Sequence, residues 1–164
     1  MPDERAVPIV SRSWFRSLIG IASRVEARSG YALFVDGPNV LRDPFDVDLN
    51  EVRTVAAREG TLKLARVYLD HRASSGLIQA AEAAGFDVRT TSGDVDVALS
   101  VDATSAIERD DLEGIAIATR DIDFKPVLEL ASQRGIKTVV IAPGSHGRSA
   151  GLMAVADEAI ILGE

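Results

Sequence analysis

Residues 31–39, YALFVDGPN, constrain this chain more than any other stretch. An apolar run of Ala32, Leu33, Phe34 and Val35 ends directly on Asp36. A short unbroken apolar run bounded by turn residues is the pattern of a strand buried on both faces. Gly37, Pro38 and Asn39 break the strand, which leaves a carboxylate at its carboxyl end. Open parallel sheets keep their ligands in the crevice beyond the carboxyl ends of their strands. Residues 114–119 repeat the device, an apolar strand leading to Asp121 and Asp123. Two acid-tipped strands predict a metal site.

The remaining pattern supplies the sheet. A helix is expected over residues 49–58 with Asp48 as its N-cap, then a strand over 62–69 in the alternating pattern LKLARVYL. A helix over 74–84 closed by Gly85, a strand over 86–91 and a helix over 95–108 lead to the second acid-tipped strand. A helix over 124–134 ended by Gly135, a strand over 136–141, a short helix near 152–156 and a strand over 159–162 complete the chain. Strict alternation of strands and helices implies an α/β fold, a parallel sheet with helices on both faces. With 164 residues and 46% hydrophobic content, one domain over residues 31–164 can bury its own core.

Ahead of that domain, Trp14, Phe15, Leu18, Ile19, Ala22 and Val25 recur at helical spacing, with Arg12, Arg16, Arg24 and Arg28 between them. Residues 1–30 therefore read as an amphipathic helical extension. It would pack on the domain or on a second copy of it, making a homo-oligomer, with membrane-surface attachment or an RNA-gripping arm as competing roles. Arg12 and Arg16 interrupt its apolar stretch, so no run of about 18 uncharged residues is present to span a bilayer. A soluble, cytoplasmic protein is expected. Cysteine is absent, which excludes disulfides, thiolate metal sites and cysteine nucleophiles. A formal net charge of -7 argues against coating nucleic acid through bulk positive charge, though not against a nuclease whose acids hold metal. No GxxxxGK[ST] and no GxGxxG following a strand occurs, which sets aside nucleoside triphosphates and dinucleotides.

Asp36, Asp94, Asp96, Asp121 and Asp123 all lie where a strand hands over to a helix, on one edge of a parallel sheet. Crowded carboxylates repel unless cations or protons relieve them, and an oxygen-only cluster favours Mg²⁺ or Mn²⁺ over zinc. Such ions can activate water and neutralise charge on a scissile phosphate. Plainer roles compete. Asp94 suits a helix N-cap, Asp121 could cap the helix that contains Phe124, and Asp123 favours its first turn. Asp102 shares a helical stripe with Val95, Leu99 and Ala106. It is expected to bond backbone amides in the loop carrying Asp121, with a remote metal-ligand role as the alternative. Asp36 has the weakest plain reading of these acids, because a tight Asp-Gly-Pro-Asn turn needs no acid at that point. Asn39 is either a turn residue or an amide that orients a water or a phosphate oxygen.

FVDGPN, DVDVALSVDA and ATRDIDFKPVLELASQRGIKTVVI, in that order, resemble the signature blocks of the NYN domain, the LabA-like branch of the PIN-like nuclease superfamily. The resemblance covers residues 32–162. It implies a three-layer α/β/α sandwich on a mainly parallel sheet and a metal-dependent ribonuclease. It matches Asp36 and Asn39 to the first motif, Asp96 to the middle acid, Asp102 to a second middle acid, and Asp121 and Asp123 to the last motif. Where many relatives have Ser-Gly before the last acids, this chain has Thr119 and Arg120. Arg120 would contact the RNA backbone or partly neutralise the acids. A lysine common before the middle acid is replaced by Ser92, Gly93 and Asp94.

The expected activity is divalent-metal-dependent hydrolysis of RNA, endonucleolytic, with Asp36, Asp96 and Asp121 as foremost ligands and Asp123 next. Arg42 and Lys125 follow the acid motifs closely and, with Arg120 and Arg148, are the expected RNA contacts. His71, Arg72, Arg89 and His146 are further cations expected near strand ends or loops. The loop 144–149 could wrap a phosphate, and Phe45 and Tyr68 are the aromatic residues expected to be available for base stacking. A catalytically silent scaffold that binds RNA or a protein, and a metal-dependent small-molecule phosphatase, fit the same residues.

Overall fold

Strand β1, Tyr31–Asp36, is buried along its whole length, as its unbroken apolar sequence requires. The structure, a computed structural model, describes residues 30–42, 47–109, 111–144 and 150–163; the helix expected over 1–30, apart from Gly30, lies outside them. After β1 come the single turn α1 (Gly37–Val40), α2 (Leu49–Glu59), β2 (Leu62–Asp70), α3 (Ser75–Ala83), β3 (Asp87–Thr91) and α4 (Val95–Glu108). The second half comprises β4 (Gly114–Ala118), a 3-10 turn (Ile122–Phe124), α5 (Lys125–Gln133), β5 (Lys137–Pro143), α6 (Ala150–Val155) and β6 (Glu158–Leu162).

The six strands form one sheet in the order β3-β2-β1-β4-β5-β6, and every pairing is parallel. Leu33 and Val35 of β1 point into a core shared with Val52 and Ala56 of α2 and Ala81 of α3. Ala32 and Phe34 point the other way, against Leu99 of α4, Leu128 of α5 and Leu152 of α6. The result is the expected three-layer α/β/α sandwich. Each fully buried side chain of β1 such as Leu33 or Phe34 contributes roughly 1.5–3 kcal/mol by leaving water, which fixes β1 at the centre of the fold.

Strand order reverses beside β1. From there β2 and β3 build outward on one side, and β4, β5 and β6 on the other. A crevice opens beyond the carboxyl ends of the strands at such a reversal, the usual ligand position in doubly wound sheets. The chain leaves β1 through Gly37, where a Cβ would collide with the carbonyl oxygen of Tyr68 and a methyl of Leu69. That close approach lets β1 turn directly into α1, with a proline in its first turn. Among the described residues, no helix is long and apolar enough to cross a membrane.

Candidate metal centre

Val35 of β1 pairs with Ala118 of β4, so the next residues of the two strands, Asp36 and Thr119, come side by side at the strand-order reversal. Asp36 is fully buried. Its Oδ2 accepts hydrogen bonds from Asn39 Nδ2 at 2.7 Å and Thr119 Oγ1 at 2.8 Å, and its Oδ1 accepts from the Asn39 backbone N–H at 3.3 Å. The last of these makes Asp36 the N-cap of α1. The expectation that the turn after β1 needs no acid is therefore corrected, since Asp36 has a plain capping role. The chain forms a helical turn after β1, and the first N–H groups of a helix need an acceptor. Burial raises the Asp36 pKa; the Thr119 and Asn39 donors pull it back, and the nearby Asp121 pushes it up again.

In the sequence, Thr119 stands out only as a departure from a family block. Its buried hydroxyl donates to Asp36 and accepts from the Asp121 backbone N–H at 3.1 Å, while its own N–H donates to the Ile141 carbonyl at 3.1 Å. One hydroxyl thus fixes the relative position of two acids 85 residues apart in the chain. The available signal was a hydroxyl residue at the end of an apolar strand, just before an acid.

The other acids arrive through caps. Asp121 Oδ1 accepts from Asp123 N at 3.0 Å and caps the 3-10 turn, and Asp94 Oδ1 accepts from Asp96 N at 3.0 Å and caps α4. The caps weighed in the sequence for Asp94 and Asp121 are present, Asp121 capping the 3-10 turn that holds Asp123 and Phe124 and not the longer α5. Asp96, in the first turn of α4, has its carboxyl pushed up to about 6, by burial first and then by the charges of Asp36, Asp94, Asp121 and Asp123. All the acids singled out at this edge therefore act on Asp96. Among the described residues, no three His, Cys, Asp or Glu side chains stand close enough together to hold a metal ion as placed. The donor chemistry nevertheless fits a hard divalent cation. The groups are all oxygen, and their mutual repulsion is of the kind a cation relieves.

Cations stand at the rim. Arg120 Nε donates to the Asn39 carbonyl at 3.3 Å, tying the residue before Asp121 to the turn after Asp36. Burial and the neighbouring Arg42 lower the Arg120 pKa, while Asp36 opposes them. Lys125 pairs with Glu129 one turn along α5, at 3.5 Å. Phe45, His146 and Arg148, with most of the loop over 144–149, lie outside the described residues.

Three further expectations are corrected. Asp102 does not bond the loop carrying Asp121. It accepts from Tyr68 Oη at 2.7 Å and Arg66 Nη1 at 3.2 Å, because its position on α4 lies over β2. Tyr68 is not available for stacking: it is buried and packs on Phe34 with ring centroids 6.3 Å apart. Burial and the Asp102 carboxylate hold its phenol above the usual tyrosine range. Arg89 is not at a strand end but in the middle of β3.

The NYN domain model matches residues 31–163. An uncharacterized protein of Methanocaldococcus jannaschii is 42% identical over 133 residues, a match covering 81% of this chain and 55% of that protein. The chain thus spans about half the length of that relative. The crystal structure of a protein of unknown function from Vibrio parahaemolyticus has the same fold, with a TM-score of 0.71 at 22% identity, covering 84% of this chain and 94% of that one.

Proposed function

Because the chain belongs to the NYN domain family, within a nuclease-like superfamily, we propose that it is a divalent-metal-dependent ribonuclease that cleaves RNA internally. The observation that carries this reading is the crowding of Asp36, Asp94, Asp121 and Asp123 around Asp96 at the strand-order reversal. Uncompensated acids cost stability, and a chain that keeps them there gains a cation site in exchange. Asp36, Asp96 and Asp121 would hold Mg²⁺ or Mn²⁺, with Asp123 at the rim. Such an ion supplies an activated water and neutralises charge on the phosphate when bound.

The chain's own residues do the rest. Thr119 holds Asp36 and Asp121 in register, and Asn39 orients the Asp36 carboxylate. Arg42 and Arg120, close enough to feel each other's charge, offer the RNA backbone two guanidinium groups beside the acids. Neither histidine is needed.

The test is incubation with labelled single-stranded RNA and Mn²⁺, in parallel with an Asp36→Asn variant and a generic phosphomonoester. RNA fragments from the parent protein alone support the reading. Fragments formed equally by the variant overturn the metal mechanism. Hydrolysis of the phosphomonoester alone would identify a phosphatase, and RNA retention without cleavage a binding scaffold.

A further inference from the structure

On the α4 side of the sheet, no helix of the described residues packs closely on β3. Helix α4 packs on β1 and β2, while the helix in contact with β3, α3, lies on the opposite face. Side chains alternate along a strand. Arg66 and Tyr68 of β2 therefore share this face with Asp87 and Arg89 of β3, as their pairing and ion contacts confirm. Between this strip and α4 runs a cleft of about 560 Å³, lined by Arg66, Arg89 and Arg109 together with Tyr68, Asp102 and Val101.

The charge of the cleft is the opposite of the chain's. In a protein of net charge -7, three guanidinium groups meet here against two carboxylates, Asp87 and Asp102. The carboxylates act as struts. Asp87 holds Arg66 Nε at 3.0 Å and Arg89 Nη2 at 3.0 Å, and Asp102 holds Arg66 Nη1 at 3.2 Å while taking the Tyr68 hydroxyl. Arg66, only 17% exposed, forms a fixed floor, and Arg89, 50% exposed, keeps donors open to solvent. Arg109, at the C-terminal end of α4, is exposed. Val101, 59% exposed, adds an aliphatic wall.

The cleft also has a direction. Its upper end lies at Thr91, three residues before Asp94 and the acids. From there it follows α4 from Ala98 to Arg109 at the other end, about 16 Å of helix. A positively lined slot that starts at the acid edge fits one flexible polyanionic strand.

We propose that the β3–α4 cleft binds the sugar–phosphate backbone of single-stranded RNA flanking the scissile bond, with Arg89 and Arg109 as its phosphate contacts and Arg66 as their support. This rests on the ribonuclease reading, deepening it by giving the strand a path.

The experiment measures binding of a short fluorescein-labelled oligouridylate to the full chain in EDTA, where no metal-dependent cleavage occurs, across a salt series. It compares the parent with Arg89→Ala plus Arg109→Ala, and with Arg58→Ala, which removes a single arginine from the opposite layer. The double variant is expected to bind about tenfold more weakly, with the salt slope reduced by about 1.4, since each single-strand phosphate contact contributes about 0.7. Arg58→Ala is expected to match the parent. Cleavage in Mn²⁺ is scored separately. Arginine-dependent binding by a parent that cleaves nothing supports the cleft and removes the ribonuclease reading. Cleavage by the parent with binding unchanged in the double variant overturns the cleft and leaves the ribonuclease standing. A parent that binds no RNA also overturns the cleft.

Discussion

The two edges of the sheet treat their acids in opposite ways. At the amino edge, Lys137 at the start of β5 is held by Glu59 at 2.7 Å and Glu158 at 2.9 Å. Asp157 there accepts from the Thr138 backbone N–H at 2.8 Å and its hydroxyl at 2.9 Å. These contacts pull acids below their usual range, Asp157 chiefly through the Thr138 backbone and Glu158 chiefly through Lys137. At the carboxyl edge the shifts run the other way, with Asp36 raised and Asp96 pushed up to about 6. Asp157 and Glu158 on the first edge stabilise the fold as ions, whereas Asp36 and Asp96 on the second are shifted against ionisation. That contrast coincides with the strand-order reversal, where doubly wound sheets usually hold their ligands.

The largest test of that contrast is catalytic. Asp96→Asn is expected to lower the rate of RNA cleavage in Mn²⁺ by about a thousandfold, on the order of removing one preorganised electrostatic group. Lys137→Met should leave the rate as it is. Comparable losses from both variants would mean that the edges are not functionally distinct. Next in size is the response to the ion itself. A ligand bound only by the folded state at about a hundred times its Kd adds about 2.7 kcal/mol of stability, so Mn²⁺ should raise the unfolding midpoint of the parent strongly. Asp36→Asn should lose most of that gain, as read by thermal unfolding with and without the ion.

A third test turns on pH in the metal-free protein. The folded Asp96 carboxyl titrates at about 6, above its ordinary value of 3.8, so between these values the folded state binds more protons than the unfolded one. Stability contributed by this group is then fully present below about pH 4 and is lost as pH rises through about 6. Asp96 is partly exposed, and solvent screening brings the expected loss to about 1–2 kcal/mol. Asp96→Asn should abolish this slope in denaturant titrations and make the metal-free fold more stable at neutral pH, while destroying activity. A parent whose stability is flat across that window would mean that the crowding has no energetic consequence.

The split between legible and illegible features follows the range of the forces involved. Helix α4 was bounded correctly at Val95 and Glu108 because its apolar period and the Asp94 cap are local. Strand β1 was found because both its faces are apolar. Strand order was not readable: alternation of elements implies parallel pairing but leaves open where the sheet reverses. The pattern LKLARVYL separates Ala65, Val67 and Leu69 from Leu64, Arg66 and Tyr68, yet not which face a helix covers. Tyr68 therefore looked available although α4 buries it. The partners of Asp102 lie 34 and 36 residues away, beyond any local pattern, and the Asp36 cap is hidden because Gly-Pro-Asn has the sequence of a strand-breaking turn although it forms a helical one. At the metal centre, the acids were legible from strand ends, while the Thr119 hydroxyl joining them is a contact between strands.

The smallest effect lies at the amino edge, and its sign is the sharpest discriminator. Lys137→Met leaves Glu59, whose side chain is only 12% exposed, facing Glu158 without the cation between them. Removing one partner of a partly buried pair leaves the other charge uncompensated. The exposure of Lys137 and Glu158 holds the expected cost at neutral pH to about 1 kcal/mol. The depressed Glu158 pKa places its stabilising contribution above the unfolded carboxyl range, and that contribution is lost as pH falls through the folded value. Once both glutamates are protonated, neither needs the lysine, so the difference between parent and variant should vanish in acid. Both pairs of stability curves should therefore converge in acid and separate with opposite signs toward neutrality, Lys137→Met falling below its parent and Asp96→Asn rising above it. Separation of both pairs in the same direction toward neutrality would mean that a single global charge effect, and not two chemically distinct edges, governs the acids of this sheet.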